Sequence, residues 1–285
     1  MKGIQAEIYL LGIVVIWGST FAIIKGILDQ IMPFTFLAYR FFLAAFVLYV
    51  IFWKRLKNID KIILKKGFLI GIFLFLGYAF QTVGLKYTTA TKAGFITGLS
   101  VVLVPIISYF FIKEKIYRNS IIGVFLATLG LWFLNYNSNF SFNLGDFLVL
   151  LCAVSFAMHI ISVGLYTKKL DYVLLVIIQL ATVFVLSLLM AVVFERPEIH
   201  LSYSSNVWWS IILTGVFATA LAFYMQNRFQ RYSTATKTAI IFSGEPIFGA
   251  MFAILLLGEK VGLIAWTGGL LIIFGMIISQ RESTK

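Results

Sequence analysis

Negative charge is scarce in this chain. Its 285 residues hold eleven Asp and Glu against twenty-three Lys and Arg, and charged residues of both signs make up only 12%. A soluble globular protein carries about twice that share. Cysteine is nearly absent: Cys152 stands alone in an apolar run, which rules out an intramolecular disulfide and any CxxC or zinc spacing. The two histidines complete no His/Cys/carboxylate cluster, so neither a metal site nor a cofactor is expected. Four prolines and no low-complexity tract leave little room for a disordered tail or an extra soluble domain. No P-loop occurs, which excludes a nucleotide-driven pump. A nucleophile with its base, or a carboxylate pair near one interface, is also missing, so an enzyme embedded in the membrane is not expected. Charged rings and long selective filters are absent too, which argues against a channel.

Hydrophobic residues fill 61% of the chain, and the mean hydropathy is +0.99. A soluble core of this size could not hide so much Leu, Ile and Phe, so the bilayer is the expected solvent for most of the surface. Ten apolar runs of spanning length follow one another, at about 8–28, 35–53, 67–86, 92–112, 119–136, 145–167, 172–194, 207–229, 234–257 and 262–279. The first shows no small-x-small cleavage site and is long enough to span, so it reads as a retained helix rather than a signal peptide. The net charge of +12 is spread over short connectors. That pattern fits the cytoplasmic ends of spans and not a nucleic-acid stripe. Lys54, Arg55, Lys57, Lys61, Lys65 and Lys66 follow the second run, and Lys113, Lys115 and Arg118 follow the fourth. The positive-inside rule therefore places both termini in the cytoplasm of a multi-pass protein of the cell (inner) membrane.

One stretch organises the rest. Tyr87-Thr88-Thr89-Ala90-Thr91-Lys92 returns 145 residues later as Tyr232-Ser233-Thr234-Ala235-Thr236-Lys237. The same shift lays Gln81 on Gln226, Glu114-Lys115 on Glu259-Lys260, and Gly123 and Gly130 on Gly268 and Gly275. Earlier residues match at a shift of 139, with Trp17 on Phe156 and Arg40 on Gln179. The expected domains are thus 1–140 and 141–285, each a five-helix repeat. Five is odd, so the second copy enters the membrane from the opposite side, as in inverted-repeat transporters with a site near the midplane.

These residues resemble the drug/metabolite transporter superfamily in its ten-helix EamA group. The match runs through Trp17-Gly18-Ser19-Thr20-Phe21, the Tyr-Thr-Thr-Ala connector with Gly94, and Phe95 to Pro105. It continues through Glu245-Pro246 and Leu257-Gly258-Glu259. The resemblance implies an all-α membrane protein of ten transmembrane helices, two inverted repeats around a central cavity. It also implies secondary transport, often export, of amino acids, other small metabolites or toxic cations. In that fold spans 3, 4, 8 and 9 chiefly line the cavity, with spans 1 and 6 also moving. The expected partners are a small-molecule substrate, the lipid bilayer, and protons or a counter-substrate, for a monomer or weak homodimer. Exchange of phosphorylated metabolites is the same-class alternative. It calls for several cationic cavity residues, and only Lys25 and Arg40 are candidates.

Glu245 is the acidic residue placed deep in a run. An ionised group there costs about 2.5–3.5 kcal/mol, so it is expected to face the cavity or a partner and to couple protons. Gln81 and Gln226 are costly without partners, and Tyr78 shares a helical face with Gln81. With Tyr224 they are expected to bond and stack on a small polar ligand. The alternative is interhelical glue at about 0.6 kcal/mol per bond. Thr97, Ser100 and Ser243 are candidate cavity hydroxyls, though such groups often bond their own backbone. Trp17, near the middle of its run, is expected at the cavity, and His159 either titrates there or packs. Lys25 and Arg40 are read as snorkelling or as attracting anionic groups, and Lys92 and Lys237 as snorkelling outward. The threonines of the hexamers are expected to cap the next helix, and Glu114 and Glu259 to be end-caps or gate pairs. The paired glycines let helices approach closely, within the bundle or across a dimer.

Overall fold

The computed structural model describes residues 3–134, 143–195, 203–257 and 262–280. Every regular element among them is helical. In chain order these are α1 (Gly3–Lys25), α2 (Pro33–Phe52), α3 (Lys61–Gly84), α4 (Ala90–Gly98), α5 (Ser100–Ile112), α6 (Arg118–Leu134) and α7 (Leu144–Tyr166). Then come α8 (Tyr172–Met190), α9 (Ser205–Gly215), α10 (Ala222–Phe229), α11 (Ala235–Phe242), α12 (Glu245–Leu257) and α13 (Leu263–Gln280). Among the described residues, seven stretches are long and apolar enough to cross a membrane, while the α6 and α13 regions hold shorter apolar helices. Large apolar side chains face outward along the rods, Phe110 and Phe111 among them, which suits a lipid surrounding. The 140/141 boundary and Gly258-Glu259-Lys260 lie outside the described residues.

Besides the seventh, whose end winds into a π-helical turn at Ala191–Glu195, three of the expected runs are not continuous α-helices. The fourth breaks between α4 and α5 at Gly98-Leu99, and the ninth between α11 and α12 at Ser243-Gly244. The two breaks fall at equivalent positions of the repeat. In the ninth run the reason is Pro246, which lacks an amide donor and whose ring excludes the carbonyl four residues back. The helix stops before it and restarts with Pro246 in the first turn, where no donor is needed. The eighth run carries a π-helical turn at Val216–Leu221 between α9 and α10.

The caps follow the hexamers. The Thr89 side chain accepts from Lys92 N at 3.1 Å, and Thr234 accepts from Lys237 N at 3.1 Å. Each such cap stabilises its helix by about 1 kcal/mol. Asn143 and Asp146 form a reciprocal capping box at the start of α7. Glu195, beyond α8, accepts from Phe34 N and Thr35 N at 2.7 Å each, satisfying the free donors that open α2.

The four paired glycines meet one another inside the bundle. α6 packs along α13, and a Cβ on Gly130 would lie 2.5 Å from the Gly268 carbonyl oxygen; one on Gly123 would lie 2.8 Å from that of Gly275. They serve internal packing, backbone against backbone. Gly123→Ala and Gly130→Ala are each expected to destabilise the protein by about 1–3 kcal/mol through overpacking. Thermal unfolding in detergent checks this against Gly12→Ala, where a Cβ meets nothing within 4 Å. Other contacts come in matched sets: α2 lies on α8, α3 on α7, α1 on α10, α1 on α12, and α7 on α4 and α5.

Candidate substrate cavity

The broken helices converge on one cavity of about 60 Å³. Both halves line it, and many liners are repeat mates: Trp17 and Phe156, Thr20 and His159, Tyr78 and Phe223, Gln81 and Gln226, Ser100 and Glu245. Glu245 is the first residue of α12 and Ser100 the first of α5. Each half thus aims the N-terminus of a half-helix, with its free amide donors, toward the cavity.

The π-helical turn lies behind the lining and holds two of its side chains. A wider turn leaves carbonyls without their usual intrahelical donors. Trp17 Nε1 donates to the Ala218 carbonyl at 2.9 Å. Arg40 Nε donates to Thr219 Oγ1 at 2.7 Å, and that hydroxyl donates to the Thr214 carbonyl at 2.8 Å. The Arg40 guanidinium also stacks 4.8 Å over the Tyr78 ring, and Nη2 donates to the Tyr78 hydroxyl at 3.4 Å. Arg40 is 1% exposed. It does not snorkel to an interface, because the cavity side of α2 offers it a hydroxyl and an aromatic face, and Glu245 lines the same cavity.

Other liners are amides and hydroxyls. Gln81 Nε2 donates to Thr97 Oγ1 at 3.3 Å, and Thr97 lies 3.8 Å from the Cys152 sulfur. Gln226 Nε2 donates to Gln230 Oε1 at 3.0 Å, while Gln226 Oε1 is buried without a partner. His159 Nε2 lies 2.8 Å from Gln179 Oε1, so the histidine is held by the repeat mate of Arg40.

The structure therefore brings Trp17, Tyr78, Gln81, Thr97, Ser100, His159, Gln226 and Glu245 together. Tyr224 and Ser243 are not among the lining residues. Tyr224 stacks on Phe52 at 5.4 Å and accepts from Arg228 at 3.3 Å, on the outer side of α10. Ser243 Oγ donates to its own backbone, the Ile240 carbonyl, at 2.7 Å. Sequence reasoning missed Thr20, Phe21, Ile24, Phe156, Phe223 and Phe242 as liners. Phe156 and Phe223 were legible as the repeat mates of Trp17 and Tyr78. Lys25 also departs from expectation: its ammonium donates to the Leu85 and Thr88 carbonyls, tying the end of α1 to the first hexamer. Lys92 pairs with Asp146 at 3.7 Å, and Lys237 is buried, so neither snorkels freely.

A helical membrane protein whose two halves line one cavity with a few polar groups among apolar ones has the architecture of a transporter. The EamA-like transporter family matches the chain twice, over residues 4–136 and 143–280. The protein belongs to that family, within the drug/metabolite transporter superfamily, which is a family of transporters and not of enzymes. It is 38% identical over 278 residues to an uncharacterized transporter of Archaeoglobus fulgidus, covering 98% of this chain and 86% of the relative. It is 26% identical over 305 residues to the uncharacterized transporter YyaM of Bacillus subtilis, covering 98% and 95%. A solved crystal structure shares the fold with a TM-score of 0.81 at 18% identity, covering 99% of this chain and 98% of that one.

Proposed function

We propose that this protein is a secondary transporter that exports small organic solutes, amino acids or related metabolites, by alternating access across the cell (inner) membrane. Ten spans cross that membrane, with both termini cytoplasmic, as an inverted pair of repeats (1–140 and 141–285). The matched contact sets and the repeat-mate lining of the cavity support that architecture. The observation that carries the substrate reading is the cavity itself. It presents a buried guanidinium, Arg40, a carboxylate, Glu245, and an unpartnered acceptor, Gln226 Oε1, among aromatic rings. Such a set suits a solute bearing both a carboxylate and an ammonium group, since each end finds its complement in a desolvated site. Glu245 is the proton-coupling group. One cation among the lining residues gives little support to phosphorylated cargo, whereas the carboxylate and aromatic rings also suit a drug-like cation leaving against protons.

The test is an uptake and exchange screen in proteoliposomes. Labelled amino acids, quaternary cations and sugar phosphates are each offered with and without a pH gradient. Saturable flux of amino acids, competed by zwitterions, is the expected result. Flux of quaternary cations alone would replace the amino-acid reading with cation efflux.

A further inference from the structure

The two hexamers are tied down by carboxylates that belong to the other half of the protein. On one face, the Thr88 hydroxyl donates to Asp146 Oδ1, and Lys92 pairs with Asp146 Oδ2 at 3.7 Å. Asp146 opens α7, in the second half. On the face that carries the chain's first residues, Ser233 Oγ donates to Glu7 Oε1 at 3.4 Å, and Lys237 acts electrostatically on the same carboxylate. Glu7 lies in α1, in the first half. Thr88 and Ser233 are repeat mates at a shift of 145, as are Lys92 and Lys237. Glu7 and Asp146 are mates at a shift of 139. One arrangement therefore occurs twice, at opposite ends of the cavity, and each copy bridges the halves.

The two mated carboxylates are not equally engaged. Asp146 is engaged by Thr88, Lys92 and the Asn143 amide, and the backbones press together beside it. There a Cβ on Gly145 would lie 2.7 Å from the Gly84 oxygen. Glu7 holds one long hydrogen bond, its Oε2 is buried without a partner, and Ala6 and Phe229 stand where the glycines would be. Each end has a further tie: Lys25 donates from α1 to the Thr88 and Leu85 carbonyls at the Asp146 end, and Glu114 of the first half accepts from Thr236 N at 3.3 Å and Thr236 Oγ1 at 3.0 Å at the Glu7 end.

We infer that Asp146 with Thr88 and Lys92, and Glu7 with Ser233 and Lys237, are the two gates of the cavity, each a clamp between halves that opens when the other closes. They act as positioning residues: they hold the hexamer connectors, and through these the helices that line the cavity, without touching the solute. The assignment of the Asp146 clamp to the outside rests on the orientation proposed above. In a two-state carrier, weakening one clamp shifts the population toward the state open on that side.

Sided labelling tests this. In a Cys152→Ser background, Thr20→Cys places a thiol in the cavity wall, and a membrane-impermeant thiol reagent is applied to right-side-out or inside-out vesicles. The Asp146 clamp is weakened by Asp146→Asn, and separately by Thr88→Val with Lys92→Gln, which keeps the α7 capping box should Asp146→Asn not fold. The other clamp is weakened by Glu7→Gln and Ser233→Ala. The expected result is labelling roughly fivefold or more faster from outside for the first pair of variants, and from inside for the second. Asp146→Glu should restore the original rate where Asp146→Asn does not. Equal labelling rates in all variants, or faster labelling from both sides at once, would overturn the gate assignment. A full exchange of the two sides between the sets would uphold the gates and overturn the proposed orientation.

Discussion

Glu245→Gln is expected to abolish the response of transport to a pH gradient while retaining a reduced downhill exchange of solute. The glutamine keeps the size and hydrogen-bonding capacity of a protonated carboxyl but cannot release a proton. In the proposed cycle, Glu245 and Arg40 share the cavity lining, and an ionised Glu245 is attracted to the guanidinium while a protonated one is not. Proton and guanidinium thus compete for one carboxylate, and the solute's own charged ends enter the same competition. This links proton occupancy to solute occupancy by ordinary thermodynamic coupling. Accumulation of labelled solute in proteoliposomes, with and without an imposed gradient, reads the effect. Wild type should accumulate solute only with the gradient, and Glu245→Gln in neither condition. An unchanged gradient response in Glu245→Gln would remove Glu245 from the coupling role.

Arg40→Lys is expected to lower transport by about tenfold or more, the cost of about 1.4 kcal/mol lost from solute binding, in a protein that still folds. Lysine keeps the charge but loses the planar fork. It cannot at once bond Thr219, stack on Tyr78 and present further donors to the cavity. Arg40→Met goes further. It leaves the buried Thr219 hydroxyl without its donor, and an unsatisfied buried polar group costs about 1–3 kcal/mol. That variant is expected to lose stability as well as flux. Solute affinity by exchange kinetics, beside a thermal melt of the same preparation, separates the two effects. A normal transport rate in Arg40→Lys would show that the guanidinium serves packing alone.

How far the sequence reveals this site depends on which physical rule governs each residue. The doubled hexamer, the threonine caps and the glycine pairs are legible because a local rule decides each of them. Gln81, Gln226 and Glu245 are legible because a polar group deep in an apolar run needs a reason to be there. Arg40 reads as a residue near an interface only because depth was judged from its place along a straight run. Its real environment is made by the π-helical turn at Val216–Leu221, and nothing in that apolar sequence announces a wider turn. Ser243 and Tyr224 fail for the opposite reason. Each has an acceptable residue type in the right segment, but the break before α12 turns Ser243 onto its own backbone, and Tyr224 lies on the far side of α10. The cross-half clamps combine both lessons. Glu7 and Asp146 look like ordinary end-of-helix acids until the fold sets each against the other half's hexamer.

The central claim, transport by alternating access through one cavity, is tested most directly by counterflow. Proteoliposomes loaded with a high concentration of unlabelled solute are diluted into a trace of labelled solute, and internal label is followed over time. A carrier with one alternately exposed cavity takes label in above its equilibrium level before it decays, because outgoing unlabelled solute returns carriers to the outside. That overshoot is the expected result for the wild type. A monotonic approach to equilibrium, with flux rising linearly with concentration, would mean an open pore and would contradict the account.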